Sequence, residues 1–270
     1  MFSKTSTVAL VSAAVLAASA PAVVDASAKR GVAWPYFSNV APSTAFGGAV
    51  AWLYDYETYL PPPDGSSFAG KEFICMQGKR GTGAQDSSPI TQLASRCANQ
   101  GSYVMGFNEP DQPESVGGSA ISPQDAAGLW QQYIQPLKNQ GKKLVAPSVS
   151  AAQGANLGEA WLDAFVAACQ GCTFDAYGFH PYGPNDGIIR QQVDGFTSKY
   201  HPVWIDEFGQ DQNANQAGPD FFNAVIGYLE GNGNVERYAT LTRYNPNGAD
   251  PKDLLNPDGS RTQLGDIYNS

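Results

Sequence analysis

Beyond residue 28, short apolar runs alternate with longer segments of helical periodicity along the whole chain. The runs are "RGVAW" from Arg30, "AVAWLY" from Ala49, "EFICM" from Glu72 and "YVMGF" from Tyr103. They continue with "KLVAPS" from Lys143, "FDAYGF" from Phe174, "PVWID" from Pro202 and "RYATLT" from Arg237. Each is rich in Val, Ala and aromatics and is bounded by turn residues, the pattern of a buried strand. Between them lie predicted helices. "SPQDAAGLWQQYIQPLKNQG" has Ser122 as N-cap, Pro123 at the first helical position, Asp125 at a capping position and a stop at Gly141. Further helices are predicted over "PITQLASRCANQG", "GEAWLDAFVAAC", "IIRQQVDGFTSKY", "PDFFNAVIGYLEGNG" and "RTQLGDIY".

Strand–helix alternation implies a parallel sheet covered by helices. Eight such units in about 250 residues predict an α/β chain folded as a (β/α)8 TIM barrel. The gaps after the first two strands, "SNVAPSTAFGG" and "YETYLPPPDGSSFAG", have poor helical character, so the first two helices are expected to be reduced or irregular. An open doubly wound sheet is the alternative, but no Gly-rich dinucleotide loop follows the first strand. "GKRGTG" from Gly78 lacks phosphate-loop spacing and reads as a flexible loop.

The first 28 residues change the setting. A lysine, an apolar run from Val8 to Ala18 and small residues after it predict a secretory signal peptide, too short to span a membrane. Cleavage after Ala20 or Ala28, or processing at Lys29-Arg30, places the mature start near Lys29. The expected organisation is therefore a leader over 1–28 and one domain over 29–270. The expected location is extracellular, with association to a cell wall as an option. The formal net charge of −9 and the lack of any basic run argue against nucleic acid or anionic lipid as partners. A neutral partner, no membrane and a monomeric state are expected.

Four cysteines in an exported chain suggest two disulfides, and four allow three pairings. Cys75 and Cys97 bracket one strand–helix unit, and Cys169 and Cys172 are close in sequence, which favours 75–97 with 169–172. "CQGC" follows a predicted helix and has no second Cys/His pair, against a zinc or redox role.

The strand ends carry the candidate chemistry. In "YVMGFNEPDQ" an apolar strand runs into Asn108, Glu109 and Pro110. In "VWIDEFGQD" another runs into Glu207. Barrel enzymes place reacting groups at the C-terminal ends of strands, all on one face. Two carboxylates over one mouth meet the requirement for glycosidic bond hydrolysis, one donating a proton and the other attacking carbon or activating water. Asn108 is expected to bond a sugar hydroxyl. "YGFHPYG" adds His180 and Tyr182, with Tyr182 placed to donate to Glu207. His201 precedes its strand and receives no role. Trp34, Tyr36, Trp52, Tyr54 and Tyr56 fall at or near strand ends, where aromatic faces would hold sugar rings. Trp34 and Trp52 read equally well as core. Two histidines do not supply a three-histidine zinc site, and no G-x-S-x-G elbow is present. Neither a metal nor a cofactor is expected.

Taken in order, "KRGVAWPYF", "WLYDYE", "MGFNEPD", "LVAPSVS", "DAYGFHPYG", "WIDEFG", "VERYA" and "LGDIY" resemble the secreted glycosyl hydrolase core of glycoside hydrolase family 128. That family includes cell-wall proteins of the alkali-sensitive-linkage type. The resemblance implies a retaining clan A barrel, endo-acting on β-1,3-glucan by double displacement, with Glu109 as acid/base and Glu207 as nucleophile. Three positions depart from the family pattern: Gln77 and Thr240 stand where Trp is expected, and Pro181 where an aromatic is common. These departures leave a non-enzymatic, wall-associated β-glucan-binding protein as the alternative.

Overall fold

A computed structural model describes residues 29–34, 45–47, 49–60, 70–242 and 252–270. The expected leader lies outside these, as do Tyr36 and most of the two gaps expected to hold reduced helices.

Among the described residues eleven strands form, nine of them in one parallel sheet. In chain order they are β1 (Arg30–Ala33), β2 (Trp52–Tyr54), β3 (Glu72–Phe73), β4 (Cys75–Met76), β5 (Tyr103–Met105) and β6 (Lys143–Ser150). Then come β7 (Ala176–His180), β8 (Tyr182–Gly183), β9 (Val203–Ile205), β10 (Gly209–Gln210) and β11 (Val235–Leu241). β3 and β4 are two halves of one run, parted only at Ile74. β3 pairs with β2, and β4 pairs with β5 on the other side. That shared run closes the sheet into the predicted barrel, and its staves are the eight apolar runs. β8 and β10 pair separately, beyond the ends of β7 and β9.

Alternation along the strands sorts side chains into two cores. Trp52, Tyr54, Ile74, Met76, Met105 and Trp204 are among those filling the barrel interior. Val32, Leu53, Val104, Leu144, Phe179 and Ile205 face outward beneath the helices. At the N-terminal end of the barrel Arg237 lies over the rings of Trp52, Tyr103 and Trp204 and pairs with Glu72 at 2.7 Å. Glu236 accepts from the Tyr103 hydroxyl and the Trp204 indole. This end is plugged, so chemistry is confined to the other.

The helices follow the sequence signals: α1 (Leu93–Cys97), α2 (Pro123–Leu129), α3 (Gly158–Ala168), α4 (Asp186–Thr197), α5 (Gly218–Gly231) and α6 (Gln263–Asn269). Ser122 caps α2 by accepting from the Asp125 amide at 3.1 Å. The helical stretch continues through a π turn and a 3-10 segment to Gly141, which ends it with φ of 81°. Both expected disulfides form, Cys75–Cys97 with Cα atoms 5.7 Å apart and Cys169–Cys172 at 5.5 Å. Among the described residues no helix is long and apolar enough to cross a membrane.

Candidate active site

Glu109 lies just past β5 and Glu207 just past β9, so barrel closure carries both to the open mouth. The Glu109 backbone has φ of 35°, a region that non-glycine residues seldom occupy. Its amide donates to the Ser148 carbonyl at 2.8 Å, and its own carbonyl accepts from Gln112 and Ser119. Such a conformation persists where its surroundings over-determine it, as they do here.

Each Glu207 oxygen has a phenol. Tyr182 donates to Oε1 at 2.5 Å, the bond anticipated from the sequence, and Tyr56 donates to Oε2. A carboxylate is an acceptor-only group, so two phenol donors suit its ionised form. Burial, reinforced by the Glu207 charge, holds the Tyr56 phenol well above its ordinary range and keeps it a donor. Tyr182 is fixed from behind: its strand pairs with Gly209, and its carbonyl accepts from Gln192 Nε2 at 3.0 Å.

His180 ends β7 and is fully buried between three carboxylates. Nδ1 lies 3.0 Å from Glu109 Oε1 and 3.9 Å from Glu207 Oε2, and Nε2 lies 3.1 Å from Asp206 Oδ2. Burial opposes charge on the ring, but the Asp206 and Glu207 charges and the bonds to Asp206 and Glu109 prevail. They raise it well above the usual histidine range. The imidazolium then donates from both nitrogens.

Sequence reasoning missed Asp206, Ser148 and the contact of Tyr56 with Glu207. Asp206 is buried, accepts from Ser148 Oγ at 2.6 Å, and leaves Oδ1 without a partner among the described residues. Ser148 reaches it because the β6–β7 register shifts between Ala146 and Val149, around Pro147. Gly178 makes room: a Cβ there would stand 2.1 Å from Ser148 Oγ. An Asp directly before Glu207 was the available signal, hidden because acidic residues at strand ends are ordinary.

The other predicted residues divide. Asn108 stands beside Glu109 at the mouth, with Nδ2 donating to the Gly117 carbonyl at 3.1 Å and Oδ1 buried without a partner among the described residues. Trp52 and Tyr54, expected to grip substrate, are instead barrel interior. Trp52 is 1% exposed, packs 5.1 Å from Trp204, and lies so close to Gly31 that a Cβ there would overlap its ring. Tyr54 is fully buried, with its hydroxyl on the Asp206 carbonyl at 2.9 Å. Inward-facing positions of a short strand fill a barrel before they reach its mouth. Trp34, at the end of β1, is 5% exposed and joins the outer core.

At the departing positions, Gln77 Nε2 ties down the carbonyls of Lys79 and Ser88, and Thr240 Oγ1 donates to the Phe208 carbonyl. Both are buried scaffold. The nearest donor atoms of Glu109, His180 and Glu207 all lie within 4.8 Å of one another. This nitrogen and two oxygens are types that zinc accepts, but Nδ1 is already engaged by Glu109.

The profile of a family described as glycosyl hydrolase catalytic core matches residues 31–268. The chain is 29% identical over 254 residues to alkali-sensitive linkage protein 1 of Schizosaccharomyces pombe. That match takes in 90% of this chain and 44% of the relative, so the chain spans less than half the relative's length. It is 30% identical to an endo-β-1,3-glucanase of subgroup IV of glycoside hydrolase family 128 from Lentinula edodes. The TM-score there is 0.74, with 90% of this chain and 99% of the other covered. A subgroup VII oligosaccharide-binding protein from Cryptococcus neoformans is 25% identical, with a TM-score of 0.74 and 91% and 94% covered.

Proposed function

We propose that this chain, which belongs to glycoside hydrolase family 128, cleaves β-1,3-glucan internally with retention of anomeric configuration. The observation that carries this reading is the trio at the mouth, with the nearest donor atoms of Glu109, His180 and Glu207 within 4.8 Å of one another. That approach brings both glutamates to one glycosidic bond; the stereochemical outcome follows the separation of the carboxyl groups themselves, about 5–5.5 Å in retaining enzymes and about 6.5–9.5 Å in inverting ones, which admit a water.

In this mechanism Glu207, oriented by Tyr56 and Tyr182, attacks the anomeric carbon from one face of the sugar. Glu109 gives its proton to the glycosidic oxygen as that bond breaks, leaving a glycosyl ester on Glu207. His180 occupies Glu109 Oε1, which leaves Oε2 to carry the proton. Glu109 then takes a proton from water as the water displaces Glu207, and the second inversion restores the β configuration. Asn108, beside Glu109 at the mouth, is placed to bond a hydroxyl of the reacting sugar. The two disulfides suit an oxidising, extracellular setting, and the likeness to a wall-linkage protein suits a substrate in the cell wall.

A second reading is glucan binding without turnover. Gln77 and Thr240 favour it, because both are buried scaffold and offer no aromatic face. One experiment separates the two readings: incubation with laminarin, curdlan, mixed-linkage glucan and cellulose, followed by assay of reducing ends. Release from the first two supports the glucanase. Retention on curdlan with no release from any glucan supports the binder.

A further inference from the structure

On the outer side of the barrel, α3 and α4 are tied together where Lys199 and Tyr200, just past α4, both bond Asp163 of α3. Nearer the mouth a cavity of about 380 Å³ opens, walled by Gln153 and Glu159 on one side and Gln191 and Gln192 on the other. Phe179 and Ile188 supply apolar surface. Neither Glu109 nor Glu207 lines it.

We propose that this cavity is a second saccharide site, holding a glucose unit of a neutral β-glucan apart from the catalytic mouth. Its volume falls within the ordinary range of small-molecule sites, about 300–1,000 Å³. Its polar wall consists of amides, the Ser150 hydroxyl and one carboxylate, and among the described residues no Lys or Arg lines it. An anion would meet Glu159 without a cation to offset it, whereas a neutral ligand rich in hydroxyls meets donors and acceptors together.

Two features point to an occupant. Gln192 Oε1 is buried and, among the described residues, has no hydrogen-bond partner, an arrangement that is costly unless a donor arrives. The amide is oriented by its Nε2, which is committed to the Tyr182 carbonyl, and Oε1 lies under the wall, where a sugar hydroxyl reaches it once the amide turns toward the cavity. The second feature is Gly195, inside α4 on the same wall, where glycine is less favourable to a helix than alanine. Its missing Cβ would touch nothing within 4 Å, so packing does not require glycine there. Glycine keeps the wall of the cavity low.

That the ligand is a β-glucan rests on the glucanase reading; the site itself does not. The test uses Glu207→Gln protein, which cannot turn over substrate, titrated with a β-1,3-linked glucose trimer. Binding is followed by calorimetry and by amide resonances. Two binding events are expected, one moving signals around Glu109 and His180, the other moving Glu159, Gln191 and Gln192. Adding Gly195→Leu should abolish the second event and retain the first. Gln191→Ala, which adds no bulk, should weaken the second about five-fold, the worth of one hydrogen bond. A single event confined to the mouth overturns the second site and leaves the glucanase reading standing. Shifts at α3 and α4 with none at the mouth would do the reverse. An equal response to glycerol would mark a void open to any small polyol and would also overturn the proposal.

Discussion

His180 and Asp206 form a fully buried pair, Nε2 to Oδ2 at 3.1 Å, directly beneath the two glutamates. The ring is raised well above its usual range because the surrounding carboxylates outweigh burial. An unfolded histidine titrates near 6.5. The raised value therefore contributes stability in full below about pH 6.5, and the contribution declines as pH climbs toward the folded value. His180→Asn should cost about 3–5 kcal/mol at neutral pH by removing the cation that offsets the buried Asp206 charge. The stability gap between variant and wild type should narrow as pH rises above about 6.5. Imidazole nitrogen resonances give the direct check: both nitrogens should remain protonated at pH 7.5, and a ring titrating near 6.5 would contradict the account.

The two phenols on Glu207 should matter to rate more than to folding. A hydrogen bond to a charged group contributes about 1.5–3 kcal/mol. Tyr182→Phe and Tyr56→Phe should each lower kcat/KM on laminarin about 10- to 100-fold while melting temperatures move little. Equal loss of activity and stability would mean that the hydroxyls serve the fold instead.

Trp52→Ala should act in the opposite way. Its ring is barrel interior against Trp204 and Gly31, so truncation should cost about 3–5 kcal/mol. Glucan affinity of the protein that remains folded should be unchanged. Thermal melts beside binding curves measure both, and a large loss of affinity with a normal melt would return Trp52 to the cleft.

The two disulfides should differ in weight. Cys75–Cys97 closes 22 residues of sequence separation and Cys169–Cys172 only three. In the chain-entropy model the longer loop contributes about 3.4 kcal/mol and the shorter about 1.9. Paired Cys→Ser variants should follow that order in denaturant unfolding, and an inverted order would exclude loop entropy as the main term.

Particular residues explain how far the sequence was legible. The barrel was readable because each stave is a compact apolar run, and even the split at Ile74 fell inside one, "EFICM". The glutamates were readable because each interrupts such a run at its C-terminal end. Trp52 misled because alternation tells which face a side chain takes, and in a barrel the inner face holds both core and mouth. The depth along the strand decides between them, and a sequence does not fix where the interior filling stops. Asp206 and Ser148 stayed hidden for a related reason. Their contact needs the β6–β7 register shift and the missing side chain of Gly178, neither of which has a local pattern.

The roles of Glu109 and Glu207 give the sharpest separation. Glu207→Ala should reduce turnover to background on every glucan, since no nucleophile remains. Glu109→Ala should slow natural glucans by about 10²–10⁴-fold, the usual worth of general acid–base catalysis. It should spare the first step of aryl glucosides whose leaving group departs without a proton. The glycosyl ester then accumulates, because no base activates water. Azide needs no such base, so adding it should restore turnover of the Glu109→Ala protein and give a β-glucosyl azide after two inversions. With wild-type protein, proton resonances of the first sugar released should be those of the β-anomer before mutarotation. An α-anomer as first product would sink double displacement and assign Glu207 to activating water, with hydrolysis itself intact.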